Sequence, residues 1–138
     1  KVNFTVEGLD ACENDYNFTI TDNNSHYTFD NRIVEGKDDF VHLRTCRFED
    51  DELKASMKVL RLAADRSPAF DFTDATNNTS LYSECLVTMI DKAYTAAGQT
   101  VDYSTTFDFD VTIKFEKANM GVTVTINGWS YSENNTEL

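Results

Sequence analysis

The sequence predicts a mainly β chain, an antiparallel β-sandwich with one short helix. Three observations carry that expectation. First, Phe107, Phe109, Val111, Ile113 and Phe115 alternate with Asp108, Asp110, Thr112, Lys114 and Glu116. Successive strand side chains point to opposite faces, so the run sets one apolar face on a core and one charged face in water. Second, Lys117-Ala118-Asn119-Met120-Gly121 supplies a turn, after which Val122, Val124 and Ile126 alternate with Thr123, Thr125 and Asn127. The two runs form a hairpin of an antiparallel sheet that is wet on one side. Third, only one segment of the chain clearly changes to a helical period.

The remaining elements follow in chain order. Val2, Phe4 and Val6 alternate with Asn3, Thr5 and Glu7, and Gly8 ends this strand. Asp10–Asp15 is a loop. Tyr16, Phe18 and Ile20 alternate with Asn17, Thr19 and Thr21, and the polar cluster Asp22–Ser25 turns the chain by bonding its own backbone. His26–Phe29 reads as the second arm of a hairpin, and Asp30–Asp39 as a loop. Phe40–Phe48 is extended, with Val41, Leu43 and Thr45 opposite His42, Arg44 and Cys46. Glu49-Asp50-Asp51-Glu52 is an acidic turn. Leu53–Ala64 fits both periods and is assigned as a strand, because it lies among strands and alternation resumes at Phe70 and Phe72. Asp65-Arg66-Ser67-Pro68 breaks it, and Asp74–Ser80 is a polar loop. The helix is expected over Ser83–Ala97. Leu86, Ile90, Ala93, Tyr94 and Ala97 share one face, with Ser83 as N-cap, Glu84 in the first turn and Gly98 as the stop.

Composition bounds the function. At 138 residues the chain is read as a single domain over 1–138, and 41% hydrophobic with 12% aromatic residues is enough for a core. A net charge of −12 repels nucleic acid and anionic membrane surfaces, and the basic residues form no run. No apolar stretch approaches the roughly 20 residues of a membrane-spanning helix. Cys12, Cys46 and Cys85 form no metal-binding pair, and they are read as small buried hydrophobes. The alternative is one disulfide in an oxidising compartment, Cys12–Cys46 first. Six Asn-x-Ser/Thr sequons, at Asn3, Asn17, Asn23, Asn77, Asn78 and Asn134, are incidental in a chain this rich in Asn, Thr and Ser.

No catalytic, cofactor-binding or metal-binding residue is assigned. His26 and His42 lie in no nucleophile or metal motif and are expected to face solvent. Asp22-x-Asn24-x-His26 starts like a calcium loop but lacks the glycine and the closing glutamate, for which Ile33 stands. Asp108 and Asp110 share a strand face at about 7 Å, a spacing that suits paired carboxylates but more often marks a solvated face. Trp129, Tyr131, Tyr103 and Tyr82 would make a sugar-stacking platform if exposed together, and the simpler expectation is that Trp129 closes one end of the core. Ser130–Leu138 is polar, lacks a core pattern, and is expected to fray or to reach a neighbouring subunit.

Residues across nearly the whole chain carry a family resemblance. They are Val2–Leu9, Tyr16–Asp30, Val59-Leu60-Arg61-Leu62 before Arg66-Ser67-Pro68, Ile126-Asn127-Gly128-Trp129, and Asn134–Leu138. In this order they resemble the C-terminal domain of the FimB-like fimbrial anchor proteins of Bacteroidales type V pili. The resemblance implies a transthyretin-like or immunoglobulin-like β-sandwich. It implies a non-enzymatic fimbrial anchor, minor fimbrial subunit or cell-adhesion module on the outer surface, in the setting of an outer-membrane lipoprotein. Its partners would be other fimbrial subunits, met through sheet edges, and a host or glycan ligand is a further expectation. The family's lipid-bearing cysteine has no counterpart here, since the first cysteine is Cys12, so membrane contact is expected only through an anchor outside this sequence. The alternative reading is a surface carbohydrate-binding module, which needs a row of exposed aromatics.

Overall fold

A computed structural model of the chain describes residues 1–22, 26–27, 33–34, 40–59, 62–63, 67–116 and 120–134. The strands are β1 (Val2–Glu7), β2 (Tyr16–Asp22), β3 (His26–Tyr27), β4 (Ile33–Val34), β5 (Phe40–Cys46), β6 (Leu53–Met57), β7 (Ala69–Asp74), β8 (Thr79–Cys85), β9 (Phe109–Glu116), β10 (Gly121–Ile126) and β11 (Trp129–Asn134), with one helix, α1 (Leu86–Ala96). A five-stranded sheet, β11-β10-β9-β1-β6, faces a four-stranded sheet, β5-β2-β7-β8. The fold is the expected β-sandwich with one helix.

Strict alternation builds both layers. Along β1, Val2, Phe4 and Val6 are buried, and along β9 so are Phe109, Val111, Ile113 and Phe115. From the other sheet come Tyr16, Phe18, Ile20, Phe70 and Phe72. Aromatic rings join the layers: Phe4 stacks on Phe70 with centroids 4.7 Å apart, and Phe72 on Phe115 at 6.0 Å. These distances are the favoured range for ring pairs, which stabilise beyond the area they bury. The β9–β10 hairpin has the expected register, with Ile113 opposite Val124 and Phe115 opposite Val122.

One pairing departs from an antiparallel sheet. β1 runs parallel to β9, Val2 opposite Phe109 through Glu7 opposite Lys114. A parallel pair needs a long crossover, and here the whole second sheet and the helix intervene. Alternation along each strand is the same for either direction, so the pattern is silent on this point. The close approach shows at Gly8, where φ is +84° and an added Cβ would sit 1.9 Å from the Phe115 carbonyl oxygen.

Several boundaries move. His26–Tyr27 does not pair with β2; it pairs with β4, and the neighbours of β2 are β5 and β7. Apart from β4, the expected loop Asp30–Asp39 lies outside the described residues, as do Asn23–Ser25, Leu60–Arg61, Asp65–Arg66 and Lys117–Asn119. The strand expected over Leu53–Ala64 is real but ends at Met57. Phe107 precedes β9 and is exposed rather than part of the core. The acidic turn forms as expected, with Asp50 and Asp51 at φ 53° and 62° and Glu49 and Glu52 exchanging two backbone hydrogen bonds. Positive φ at both central residues marks a type I′ turn.

The helix starts later than expected, at Leu86, because Ser83 and Glu84 belong to β8. The Ser83 hydroxyl donates to Asp71 across the sheet at 2.7 Å instead of capping a helix. Strand passes to helix at Cys85, which makes no side-chain cap, and the Leu86 N–H donates to the Pro68 carbonyl. The C-terminus is as read. Gly98 takes φ +71°, its N–H donates to Thr95 O, and the Gln99 N–H donates to Tyr94 O, which is a Schellman closure.

The terminal stretch is the largest correction. Trp129–Asn134 is neither frayed nor free, since it forms β11 and pairs with β10 from Ile126–Trp129 to Gly121–Asn134. Asn127 and Gly128, at φ 51° and 90°, make the tight turn. Residues 135–138 lie outside the described residues.

Candidate interaction edges

Among the described residues, the features that suggested chemistry do not converge on a catalytic cleft. Asp110 faces solvent and accepts a hydrogen bond from the Asn3 amide at 2.9 Å, while Asp108 precedes β9 and is 79% exposed. His42 is half-buried rather than solvent-facing, because it shares the inward face of β5 opposite Ile20. Burial pushes its imidazole pKa down, against the opposing pull of the Asp22 carboxylate. The His26 side chain lies outside the described residues. Among the described residues no group of three or more His, Cys, Asp and Glu is placed to hold a metal ion, and no described helix is long and apolar enough to cross a membrane. The cysteines are free, and Cys12 is exposed rather than buried, its sulfur 3.3 Å from the Tyr16 hydroxyl.

The four aromatics do not form a platform. Tyr82 is buried, Tyr131 and Tyr103 are half-buried, and Trp129 stands on β11 at 39% exposure instead of closing the core. Two of them belong to a polar clasp. The Tyr82 hydroxyl lies 3.1 Å from that of Tyr131 and donates to Glu133 at 2.9 Å. Lys92 on α1 reaches both Glu84 on β8 and Glu133 on β11, at 3.3 and 3.4 Å. Burial first, then the Tyr131 hydroxyl and the Glu133 charge, push the Tyr82 phenol far above its ordinary value. The clasp joins the last strand of each sheet to the helix and so closes that side of the sandwich.

The opposite side is different. Among the described strands, β5 ends the four-stranded sheet and β6 ends the five-stranded sheet, each with one hydrogen-bonding edge outside its sheet. The acidic turn links them, and they lie against each other. An edge strand is a ready template for a further strand unless it is covered or blunted. The division of faces along β5 is as read, but its apolar side points outward. Val41 and Leu43 are each 54% exposed, because they register with the outward Thr21 and Thr19 of β2. Sequence reasoning missed this, since alternation shows two faces without saying which is buried. The Asn127-Gly128 dipeptide, a strong hairpin signal, was the available clue to β11 as the opposite edge.

No curated protein matches the sequence. Among solved structures, the fimbrial anchor protein Mfa2 from Porphyromonas gingivalis superposes with TM-score 0.74 at 20% identity, over 94% of this chain and 46% of that one. A protein of Bacteroides thetaiotaomicron described as polysaccharide-binding superposes at 0.64 with 18% identity, over 99% of this chain and 51% of that one. An adhesin-like protein of Bacteroides ovatus does so at 0.59 with 14% identity, over 99% and 49%. At these identities the likeness is one of fold, and the chain spans about half the length of each. A family described as fimbrillin-A associated anchor proteins Mfa1 and Mfa2 matches residues 1–135, and the chain belongs to that family.

Proposed function

We propose that this chain is a non-enzymatic module of a fimbria, an anchor or minor subunit that meets other fimbrial subunits through its sheet edges at the bacterial outer surface. The family match over residues 1–135 carries the reading. The exposed β5 edge, with Val41 and Leu43 beside it, supplies a surface able to form backbone hydrogen bonds with a partner strand. Residues 1–138 act as one sandwich domain of the anchor, corresponding to its C-terminal half. Attachment to the outer membrane through a lipid on another part of the anchor belongs to the same reading. A carbohydrate-binding role draws on the polysaccharide-binding neighbour, but the burial of Tyr82 and the engagement of Tyr131 in the clasp argue against a stacking platform.

The test is co-purification with the cognate fimbrial subunits. The Val41→Lys variant changes an outward side chain and is expected to keep the fold and lose most capture. Full capture by a folded variant would remove the β5 edge from the mechanism. Deleting Ser132–Leu138 would not isolate a tail, because it cuts into β11 and removes Glu133 from the clasp.

A further inference from the structure

Beyond the acidic Glu49–Glu52 turn, one groove on the open side of the sandwich reverses the charge of the molecule. A groove of about 370 Å³ runs between β5 and β6 and is lined by Lys1, His42, Leu43, Arg44, Ser56, Met57 and Lys58. Acids outnumber Lys and Arg in this chain by 24 to 12, yet the described lining holds three of those 12 cations and no carboxylate. The placement follows from the register. His42 and Arg44 sit opposite Ile20 and Phe18, so they lie on the inward face of an edge strand, at the mouth between the two sheets. Met57 is buried at the end of β6, opposite Val2, and Lys58 follows it into solvent. Both walls are sheet edges.

We propose that this groove receives an acidic, extended peptide segment of a partner protein. The inference rests on the edge-mediated reading above and adds the site and the chemistry of the partner. Both strands end their sheets, and the backbone donors and acceptors along a sheet edge select a peptide over a glycan. The cations select acidic side chains, and Leu43 and Met57 accept the apolar ones that alternate with them. Inward charges on an edge strand also guard against unwanted pairing, so the experiment separates a guard from a receptor.

Titration of the whole chain with a labelled peptide alternating glutamate and valine, and with its lysine–valine counterpart, tests the proposal. The glutamate peptide is expected to bind, to weaken as salt rises, and to lose about tenfold or more in affinity to the Arg44→Glu/Lys58→Glu variant. The lysine peptide is expected not to bind. Circular dichroism checks the fold of the variant. Should it fail to fold, Lys58→Glu alone, at an exposed position past the strand end, is expected to give a smaller loss of the same sign. Equal binding of the two peptides, or no effect of charge reversal, overturns the proposal. A polyuronate oligosaccharide that binds as tightly as the glutamate peptide overturns it in favour of a glycan. Aggregation of the reversed variant, with no peptide bound by the parent chain, leaves the cations as a guard and also overturns it. If reversal leaves capture of cognate subunits intact while Val41→Lys, outside the groove, abolishes it, this inference fails and the edge reading stands.

Discussion

Phe109 and Asp110 are neighbours with opposite roles. Phe109 is 1% exposed beneath the half-buried ring of Tyr103, while Asp110 lies in water on the other face of β9. Phe109→Ala removes a buried ring and leaves a cavity, so a loss of about 3–5 kcal/mol in denaturant unfolding is expected. Asp110→Asn is expected to stay within about 0.5 kcal/mol, as for other exposed sites. A Phe109→Ala loss under about 1 kcal/mol would contradict the observed register. Gly8 and Gly98 make a second contrast. Both have positive φ, but an added Cβ meets the β9 backbone at Gly8 and nothing within 4 Å at Gly98. Gly98→Ala should therefore cost about 1–2 kcal/mol, the left-handed strain alone. Gly8→Ala should exceed that and loosen the β1–β9 pairing, which hydrogen exchange at the β1 amides would report.

At the scale of elements, the β7–β8 turn depends on one buried carboxylate. Asp74 accepts the Asn77 backbone N–H at 3.1 Å and the side-chain amides of Asn77 and Asn14 at 2.9 and 3.0 Å. Burial alone would raise its pKa, but these bonds together with the Thr76 N–H hold it below the ordinary carboxylate value. Its contribution is therefore present in full above the unfolded value of about 3.9 and is lost as pH falls through the lower folded one. Urea unfolding across pH is expected to find Asp74→Asn weaker than the parent near neutrality, with the difference shrinking on acidification below about pH 4. A constant difference down to pH 2 would detach the carboxylate's charge from the turn. His42 acts in a higher window. Its folded pKa is depressed, so its contribution declines as pH falls below the unfolded value of 6.5.

For the whole molecule, the two sides of the sandwich have different means of closure. Hydroxyls, carboxylates and Lys92 seal the β8–β11 side beneath α1, whereas the β5–β6 side presents exposed aliphatic residues and a basic groove. Stability rests on the aromatic and aliphatic core between the sheets, so adding a chelator is expected to leave the melting temperature unchanged. A large downward shift would point to an ion held by side chains such as Asp22 or the Glu49–Glu52 turn.

The elements legible in the sequence were those whose pattern is local. Alternation placed β1, β2, β7, β9 and β10, the acidic tetrad placed its turn, and Gly98 marked the helix stop, because pleat, turn dihedrals and capping act within a few residues. Tertiary structure decided what depends on distant partners. The parallel β1–β9 pair, the outward turn of Val41 and Leu43, the late start of α1 and the capture of Trp129–Asn134 as an edge strand all follow from which strand lies alongside. The basic groove has the same origin. Lys1, Arg44 and Lys58 are scattered in an acidic sequence, and only the meeting of two sheet edges gathers their charges into one field.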